Sequence, residues 1–453
     1  MPLHVIVLAA GQGKRMQSDL PKVLHRLAGR PLLAHVLEAA RSLQPERIVV
    51  VIGHGGDAVK AAFPDADLTW VEQAERLGTG HAVVQALPAV STRATLMVLN
   101  GDVPLVRGET LAALAKAGRR GLALCTSELT PAEGYGRVVR DAKQRVRRIV
   151  EEKDASKEER AIREWYAGFL AAPGAKLAGW LAKLGNRNVQ KEYYLTDIVG
   201  HCAVEGTAIE AVKAVDPWEV AGANTRHELA LLERAWQNAN ARRLLDAGVS
   251  LGDLWRVDVR GRLSCGREVS IDVNCVFEGE VVLGDGVRIG PNCVLKNVSL
   301  GAGTEVHAFS HLEDAVVGAR CKLGPYARLR PGASLDEEVH IGNFVEVKAS
   351  RIGARSKANH LAYIGDAEVG RGVNVGAGTI TCNYDGAAKH RTVIEDECFI
   401  GSDSTLIAPV TLARGSYIGA GSTISKDTPA GQLTVARAKQ VSLAGWKPPK
   451  KKA

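Results

Sequence analysis

Aromatic side chains are scarce in this chain. Only 5% of its residues are Phe, Trp or Tyr, which argues against the stacking platforms that bind single-stranded nucleic acid. Long apolar runs are missing too. The longest aliphatic one, Ile48 to Ile52, falls far short of the roughly 20 residues that cross a bilayer. No basic stretch followed by an apolar core and a cleavage site opens the sequence, so no signal peptide is expected and the cytoplasm is the expected compartment. Cysteine is present but never as C-x-x-C. The eight are Cys125, Cys202, Cys265, Cys275, Cys293, Cys321, Cys382 and Cys398. Their dispersal argues against a zinc or redox motif and for free thiols. The net charge of +8 is spread along the chain, apart from the tail Lys447, Lys450, Lys451 and Lys452. The tail is expected to be solvated. Neither nucleic acid nor membrane is an expected partner, whereas phosphorylated metabolites fit the charge.

What is there divides in two. At roughly 100–200 residues per domain, the length allows two to four domains. An apolar content of 46% and a charged content of 24% are ordinary for a globular protein. Residues 1–250 carry 22 glycines and residues 251–453 carry 26, so the shorter second half is the richer.

The first half alternates strand and helix signals. His4 to Ala9 is apolar, Leu32 to Leu43 has helical spacing, and Arg47 to Ile52 and Leu96 to Leu99 are short apolar runs. Such alternation predicts βαβ units and a mostly parallel sheet. Ligands of such sheets bind outside the carboxyl ends of the strands, here just after Ala9 and just after Leu99. Thr225 to Ala247 reads as one long helix, with a capping box at Thr225 and Glu228 and a stop at Gly248. The expected domains are therefore 1–224, a helical linker 225–248, and 249–453.

The second half repeats every six residues. Aliphatics stand at Val317, Leu323, Leu329, Leu335, Ile341 and Val347, and again at Ile394, Ile400, Leu406, Leu412, Ile418 and Ile424. Ile271, Leu283, Ile289 and Leu295 form a third series with the same spacing. A hexad with a fixed aliphatic slot marks a parallel β-helix. Cys275, Cys293, Cys321 and Cys398 each follow an aliphatic position by four, where a small packed residue is expected. The hexads break between Ala377 and Ile394, and insertions in a solenoid form loops on one face.

After the first strand comes Leu8-Ala9-Ala10-Gly11-Gln-Gly13-Lys14-Arg15-Met16, then Pro21-Lys22. Glycines there let backbone N–H groups approach phosphate oxygens, and the basic side chains add charge. The spacing is neither a Walker A loop nor G-x-G-x-x-G. It resembles the signature of sugar-phosphate nucleotidyltransferases, in which a sugar 1-phosphate oxygen attacks the α-phosphorus of a nucleoside triphosphate and pyrophosphate leaves. The resemblance implies catalytic roles for Arg15 and Lys22 and a phosphate cradle at Leu8, Ala9, Ala10 and Gly11. It implies a reader of the UTP base at Gln73, Gly78 and Thr79. Asn100, Gly101 and Asp102 would flank the nucleotide, and Gly136, Glu151 and Tyr166 the sugar. Asp102 and Asn224 would hold Mg2+. Tyr166-Ala167-Gly168 stands where the family often has Asn-Thr-Gly, which bears on sugar affinity, and Asn100 stands where an aromatic is frequent.

With the β-helix added, nearly the whole chain resembles the bifunctional N-acetylglucosamine-1-phosphate uridyltransferase / glucosamine-1-phosphate N-acetyltransferase family. The most specific stretches are Arg328-Leu-Arg330-Pro-Gly, Gly342 to Lys348, His360-Leu-Ala-Tyr363, and Asn374 to Gly386. The resemblance implies an α/β nucleotidyltransferase domain of Rossmann-like type and a left-handed hexapeptide β-helix. His360 would be the base that accepts the amine proton. Arg330, Lys348, Tyr363 and Asn374 would bind the acetyl acceptor. Ala377, Asn383, Tyr384, Ser402, Ala420 and Arg437 would contact acetyl-CoA. Expected small-molecule partners are glucosamine 1-phosphate, N-acetylglucosamine 1-phosphate, UTP and acetyl-CoA, and the expected assembly is a homotrimer. Two rival readings are a monofunctional guanylyl- or adenylyltransferase with a structural β-helix, and a non-catalytic scaffold of similar architecture.

Overall fold

The computed structural model describes residues 1–53, 55–128 and 133–449. Lys450, Lys451 and Lys452 of the tail lie outside the described residues. The chain forms two compact units, Met1–Trp236 and Gln237–Ala453.

The first unit is built on a nine-stranded sheet. Its strands are β1 (Leu3–Ala9), β2 (Arg47–Ile52), β3 (Leu68–Glu72), β4 (Thr95–Asn100), β5 (Leu122–Ser127), β6 (Arg137–Arg140), β7 (Val146–Val150), β8 (Trp165–Pro173) and β9 (Ile209–Lys213). The order across the main path is β9-β5-β8-β4-β1-β2-β3. Val5, Ile6 and Val7 of β1 are fully buried, as a central strand covered on both faces must be. Val5 and Val7 meet Leu33, Val36 and Leu37 of the helix Leu32–Arg41. Ile6 meets the opposite layer, with Val83 and Ala86 of the helix Thr79–Ala86.

Strands β1, β2 and β4 run parallel, with Ala9 opposite Ile52 and Leu8 opposite Asn100. Their carboxyl ends thus share one edge. The sheet is less parallel than the alternation of elements predicts. Strand β8 runs antiparallel to both β4 and β5, and β6 and β7 pair antiparallel. Apolar patterning reports burial and does not encode strand direction.

The helix Arg226–Asp246 follows Thr225. The Thr225 hydroxyl accepts from the Glu228 N–H at 3.1 Å, and the Glu228 carboxylate accepts from the Thr225 N–H at 2.9 Å. This is the expected capping box, and Gly248 beyond the end has φ 87°. Leu229, Leu232 and Trp236 of this helix pack with Leu27, Ala28, Leu32 and Ala223.

The second unit is a parallel β-helix of short strands in stacked coils. Leu323 lies opposite Ile341, Leu329 opposite Val347 and Leu335 opposite Ile352. Every aliphatic of the predicted hexads is buried, and so are Cys275, Cys293, Cys321 and Cys398. The interruption is narrower than expected. Ile380–Cys382 forms a strand in register with Thr405–Ile407, so the excursion occupies only residues 383–391. Thr381 hides this coil from a search for aliphatics. It is buried in the inward slot, and its hydroxyl accepts from the Gly365 N–H at 2.8 Å.

Candidate active sites

The carboxyl ends of β1 and β4 open onto one crevice with two lobes, of about 280 Å³ and 300 Å³. Leu8, Thr79, Asn100 and Asp102 line both. The crevice exists because the chain turns away from the sheet at these points. Gly101 makes the tight exit from β4, its N–H donating to the Leu8 carbonyl at 2.9 Å.

Between the lobes lies a three-residue cluster. The Lys22 ammonium donates to the Asn224 side-chain oxygen at 2.7 Å and pairs with the Asp102 carboxylate. These residues are distant in sequence, and the Ala223 N–H bonded to the Asp102 carbonyl at 3.1 Å joins their loops. Asn224 is held from below by Glu228, whose carboxylate accepts its backbone N–H at 2.6 Å. Two hard side-chain oxygens therefore converge on one cation position. Such a donor pair suits Mg2+, which takes one or two protein oxygens and fills its octahedron with water and substrate phosphates. Among the described residues no group of three His, Cys, Asp or Glu side chains converges, so a metal here would lean on its substrate.

One lobe is lined by Ala9, Ala10, Gly11, Lys22, Gln73 and Gly78, with Thr79. Gln73 is buried at the end of β3, its amide donating to the Gly78 carbonyl at 3.1 Å. Gly78 has φ 108°, and an added Cβ would lie 2.6 Å from the Tyr193 carbonyl. Only glycine meets both demands. The other lobe is lined by Arg15, Gly136, Glu151, Tyr166, Gly168 and Asn224. Burial pushes the Glu151 carboxyl up, opposed by the hydrogen bond from the Thr196 hydroxyl at 2.8 Å. Tyr166 is buried, its N–H bonded to the Gly136 carbonyl at 2.8 Å. Burial also pushes its phenol up.

The second candidate site lies on the β-helix. His360 is exposed in the strand Lys357–His360, and its Nδ1 lies 2.9 Å from the Asn343 side-chain oxygen on the coil below. An oxygen there can only accept, so the proton is assigned to Nδ1, and Nε2 keeps its lone pair. Arg330 pairs with Glu346 at 2.8 Å, Glu346 lies opposite Tyr363, and Lys348 lies opposite Gly365. Asn374 stands on the column after Lys357. Ala377, Ser402, Ala420 and Arg437 form a ladder along one corner. The Asp403 N–H donates to the Ala377 carbonyl at 2.7 Å, the Gly421 N–H to Ser402 at 2.8 Å, and the Arg437 guanidinium to Ala420 at 2.6 Å. Asn383 is buried and donates to the Asp366 carboxylate, whereas Tyr384 is exposed in the loop.

Some residues of the crevice escaped the sequence reading. Glu228 carries a capping signature, yet it also lines the crevice and fixes Asn224. Thr196 and Leu195 line it from a segment without any motif. The Leu195 N–H donates to the Thr79 hydroxyl at 3.2 Å.

Comparison with known proteins agrees with this division. A MobA-like NTP transferase domain matches residues 5–249. A GMPPB C-terminal domain matches residues 259–358, and six bacterial transferase hexapeptide repeats match residues 391–426. A nucleotidyltransferase and a hexapeptide acyltransferase thus share one polypeptide. The chain is 58% identical to the bifunctional protein GlmU of Bordetella parapertussis over the full length of both. It is 57% identical to that of Chromobacterium violaceum, over 100% of this chain and 99% of the relative. It is 58% identical to that of Azoarcus sp., over 99% and 100%. The chain belongs to the GlmU family. It is a bifunctional enzyme, a uridyltransferase and an N-acetyltransferase, and its product is UDP-N-acetylglucosamine.

Proposed function

We propose that uridylyl transfer runs in the crevice at the ends of β1 and β4, and acetyl transfer around His360. The observation that carries the first assignment is the Lys22 ammonium held between Asp102 and Asn224. A phosphate oxygen of N-acetylglucosamine 1-phosphate attacks the α-phosphorus of UTP, and pyrophosphate leaves from the opposite side. Negative charge crowds the centre, and cations must offset it. Lys22 and the exposed Arg15 are placed to do so. Asp102 and Asn224 would hold Mg2+, which when bound supplies further neutralisation of the phosphate oxygens. Gly11 and its neighbours offer backbone N–H groups to the triphosphate, Gln73 and Gly78 face the base, and Gly136, Glu151 and Tyr166 face the sugar.

In the second site the amine of glucosamine 1-phosphate attacks the acetyl-CoA thioester. A C–N bond forms, the C–S bond breaks, and the coenzyme leaves as its thiol. His360 Nε2 takes the amine proton while Nδ1 stays bonded to Asn343, and then hands it to the departing thiolate. Arg330 and Lys348 hold the sugar phosphate, with Tyr363 and Asn374 orienting the sugar. Ala377, Asn383, Tyr384, Ser402, Ala420 and Arg437 accommodate acetyl-CoA. Acetylation comes first, because its product is the acceptor for uridylyl transfer.

The same reading makes the protein a homotrimer of the cytoplasm. Supporting the assembly, Phe309, Tyr326 and Phe344 are exposed yet stacked at 5.0 and 5.1 Å along one corner, a face suited to a partner copy. Among the described residues no helix is long and apolar enough to cross a membrane. The test is one incubation with glucosamine 1-phosphate, acetyl-CoA, UTP and Mg2+, read by mass. UDP-N-acetylhexosamine that requires all four components is expected. Product formed only when N-acetylglucosamine 1-phosphate is supplied would remove the acetyl-transfer assignment.

A further inference from the structure

His81 belongs to the helix Thr79–Ala86 beside the base lobe, and none of the roles assigned above uses it. The Gln73 side-chain nitrogen lies 3.1 Å from the Gly78 carbonyl and 3.1 Å from His81 Nδ1. These groups are held in place. Gln73 is buried, and its backbone N–H donates to the Ile52 carbonyl at the end of β2 at 2.8 Å. The Gly78 carbonyl also accepts the Ala82 N–H at 3.1 Å. The other ring nitrogen of His81, Nε2, lies 3.1 Å from the side-chain amide of Gln85, one turn further along the same helix.

A primary amide nitrogen carries two N–H bonds, and a carbonyl can only accept. One N–H of Gln73 therefore goes to Gly78. The other goes to His81, which must offer a lone pair at Nδ1 and carry its proton on Nε2. Gln85 then meets that proton with its oxygen, an amide orientation assigned from the network. With both N–H bonds of Gln73 engaged, its oxygen is what remains for the lobe that Gln73 lines. The two ends of a glutamine amide are nearly alike in shape, so it is these acceptors that decide which end faces the base.

We propose that His81 is a positioning residue that sets nucleobase selectivity. By accepting from Gln73 it keeps the amide oxygen toward the base, where uracil offers a proton at N3 and cytosine offers a lone pair. A turned amide would present N–H to the N3 proton of uracil and suit cytosine instead. The inference rests on the assignment of this lobe to the base of UTP.

Two variants separate the acceptor from the ring. His81→Phe keeps a ring near Tyr193, whose centroid is 6.4 Å away, and removes both nitrogens. His81→Asn gives up the ring and keeps an acceptor, because an asparagine oxygen can sit where Nδ1 does. Transfer to N-acetylglucosamine 1-phosphate is measured with UTP and with CTP. In His81→Phe the ratio of kcat/KM for UTP to that for CTP is expected to fall about tenfold, the scale of one hydrogen bond. The change should lie in KM, with kcat for UTP within about twofold of the wild type. His81→Asn should restore the ratio to within about twofold. Lost packing alone would slow both nucleotides alike. An unchanged ratio in His81→Phe overturns the proposal, and so does an equal fall in both variants. Nitrogen-15 NMR of the wild type reads the tautomer without relying on either variant to fold. The His81 proton is expected on Nε2, and a proton on Nδ1 overturns the proposal as well. Gln73→Ala with an unaltered KM for UTP would instead take the base out of this lobe and overturn the reading beneath the proposal.

Discussion

The two candidate sites are assembled in opposite ways. In the crevice, Lys22, Asp102 and Asn224 come from loops far apart in the chain and meet because parallel strands end on one edge. On the β-helix, Asn343 and His360, or Ala377, Ser402 and Ala420, occupy equivalent places on successive coils. The first arrangement is tied by cross-links between loops, and a single residue carries each tie. The second is a ladder whose rungs are set by the core beneath. The lesson is that the crevice should fail residue by residue, whereas the ladder should tolerate surface change and fail when its core is cut.

The sharpest test separates the chemistries. Asp102→Ala should lower uridylyl transfer by about 10³-fold or more, as loss of a key electrostatic group does, and leave acetyl transfer intact. His360→Ala should lower acetyl transfer by about 10²–10⁴-fold, the range of a general base, and leave pyrophosphate release intact. Both rates are measured on the same preparations. A well-folded variant that loses both activities would collapse the comparison to one shared site.

Core truncation comes next. Leu329 is buried at a rung directly before Arg330. Leu329→Ala should destabilise the β-helix by about 2–5 kcal/mol, seen as a lower melting temperature. An effect as small as a surface substitution would mean that the rungs are not set by the core.

A subtler contrast is in pH. The Glu151 carboxyl is pushed up by burial, and Asp197, Asp154 and Glu192 add to the shift. The folded state therefore holds this proton more tightly than the unfolded chain. Its contribution to stability is complete at low pH and is lost as pH rises above the ordinary carboxylate value of about 4.3. Glu151→Gln should gain on the wild type as pH rises through that window. Thermal denaturation across pH reads this, and parallel curves would refute it.

The smallest effect is at the cap. Thr225→Ala removes the hydroxyl that accepts the Glu228 N–H and should cost about 1 kcal/mol. Because Glu228 also holds Asn224, uridylyl transfer should weaken slightly while acetyl transfer does not. Equal rates would mean that the carboxylate keeps its place without the box.

The two regions also differed in how much the sequence disclosed. The β-helix was legible because its period is local, and each hexad aliphatic is buried where the pattern puts it. Thr381 does not show in that period, because a hydroxyl satisfied by the backbone occupies its apolar slot. In the crevice the meeting of Ala9, Ala10 and Gly11 with Asp102 on one edge was legible from their places at strand ends. The antiparallel course of β8 was not, since direction leaves no trace in apolar spacing. Thr196 and the wider role of Glu228 depend on contacts between segments remote in sequence, which no spacing rule reaches.

The helix start at Thr225 bears on how the protein can be taken apart. Glu228 lies within the first turn and is the carboxylate that fixes Asn224. Leu229 and Leu232 beyond it cover Leu27 and Leu32. A fragment ending at residue 224 would keep the whole stretch from Leu8 to Lys22 and still lose the anchor of Asn224. Dissection for separate study should therefore cut no earlier than Trp236, leaving the opening turns of the helix with the nucleotidyl half.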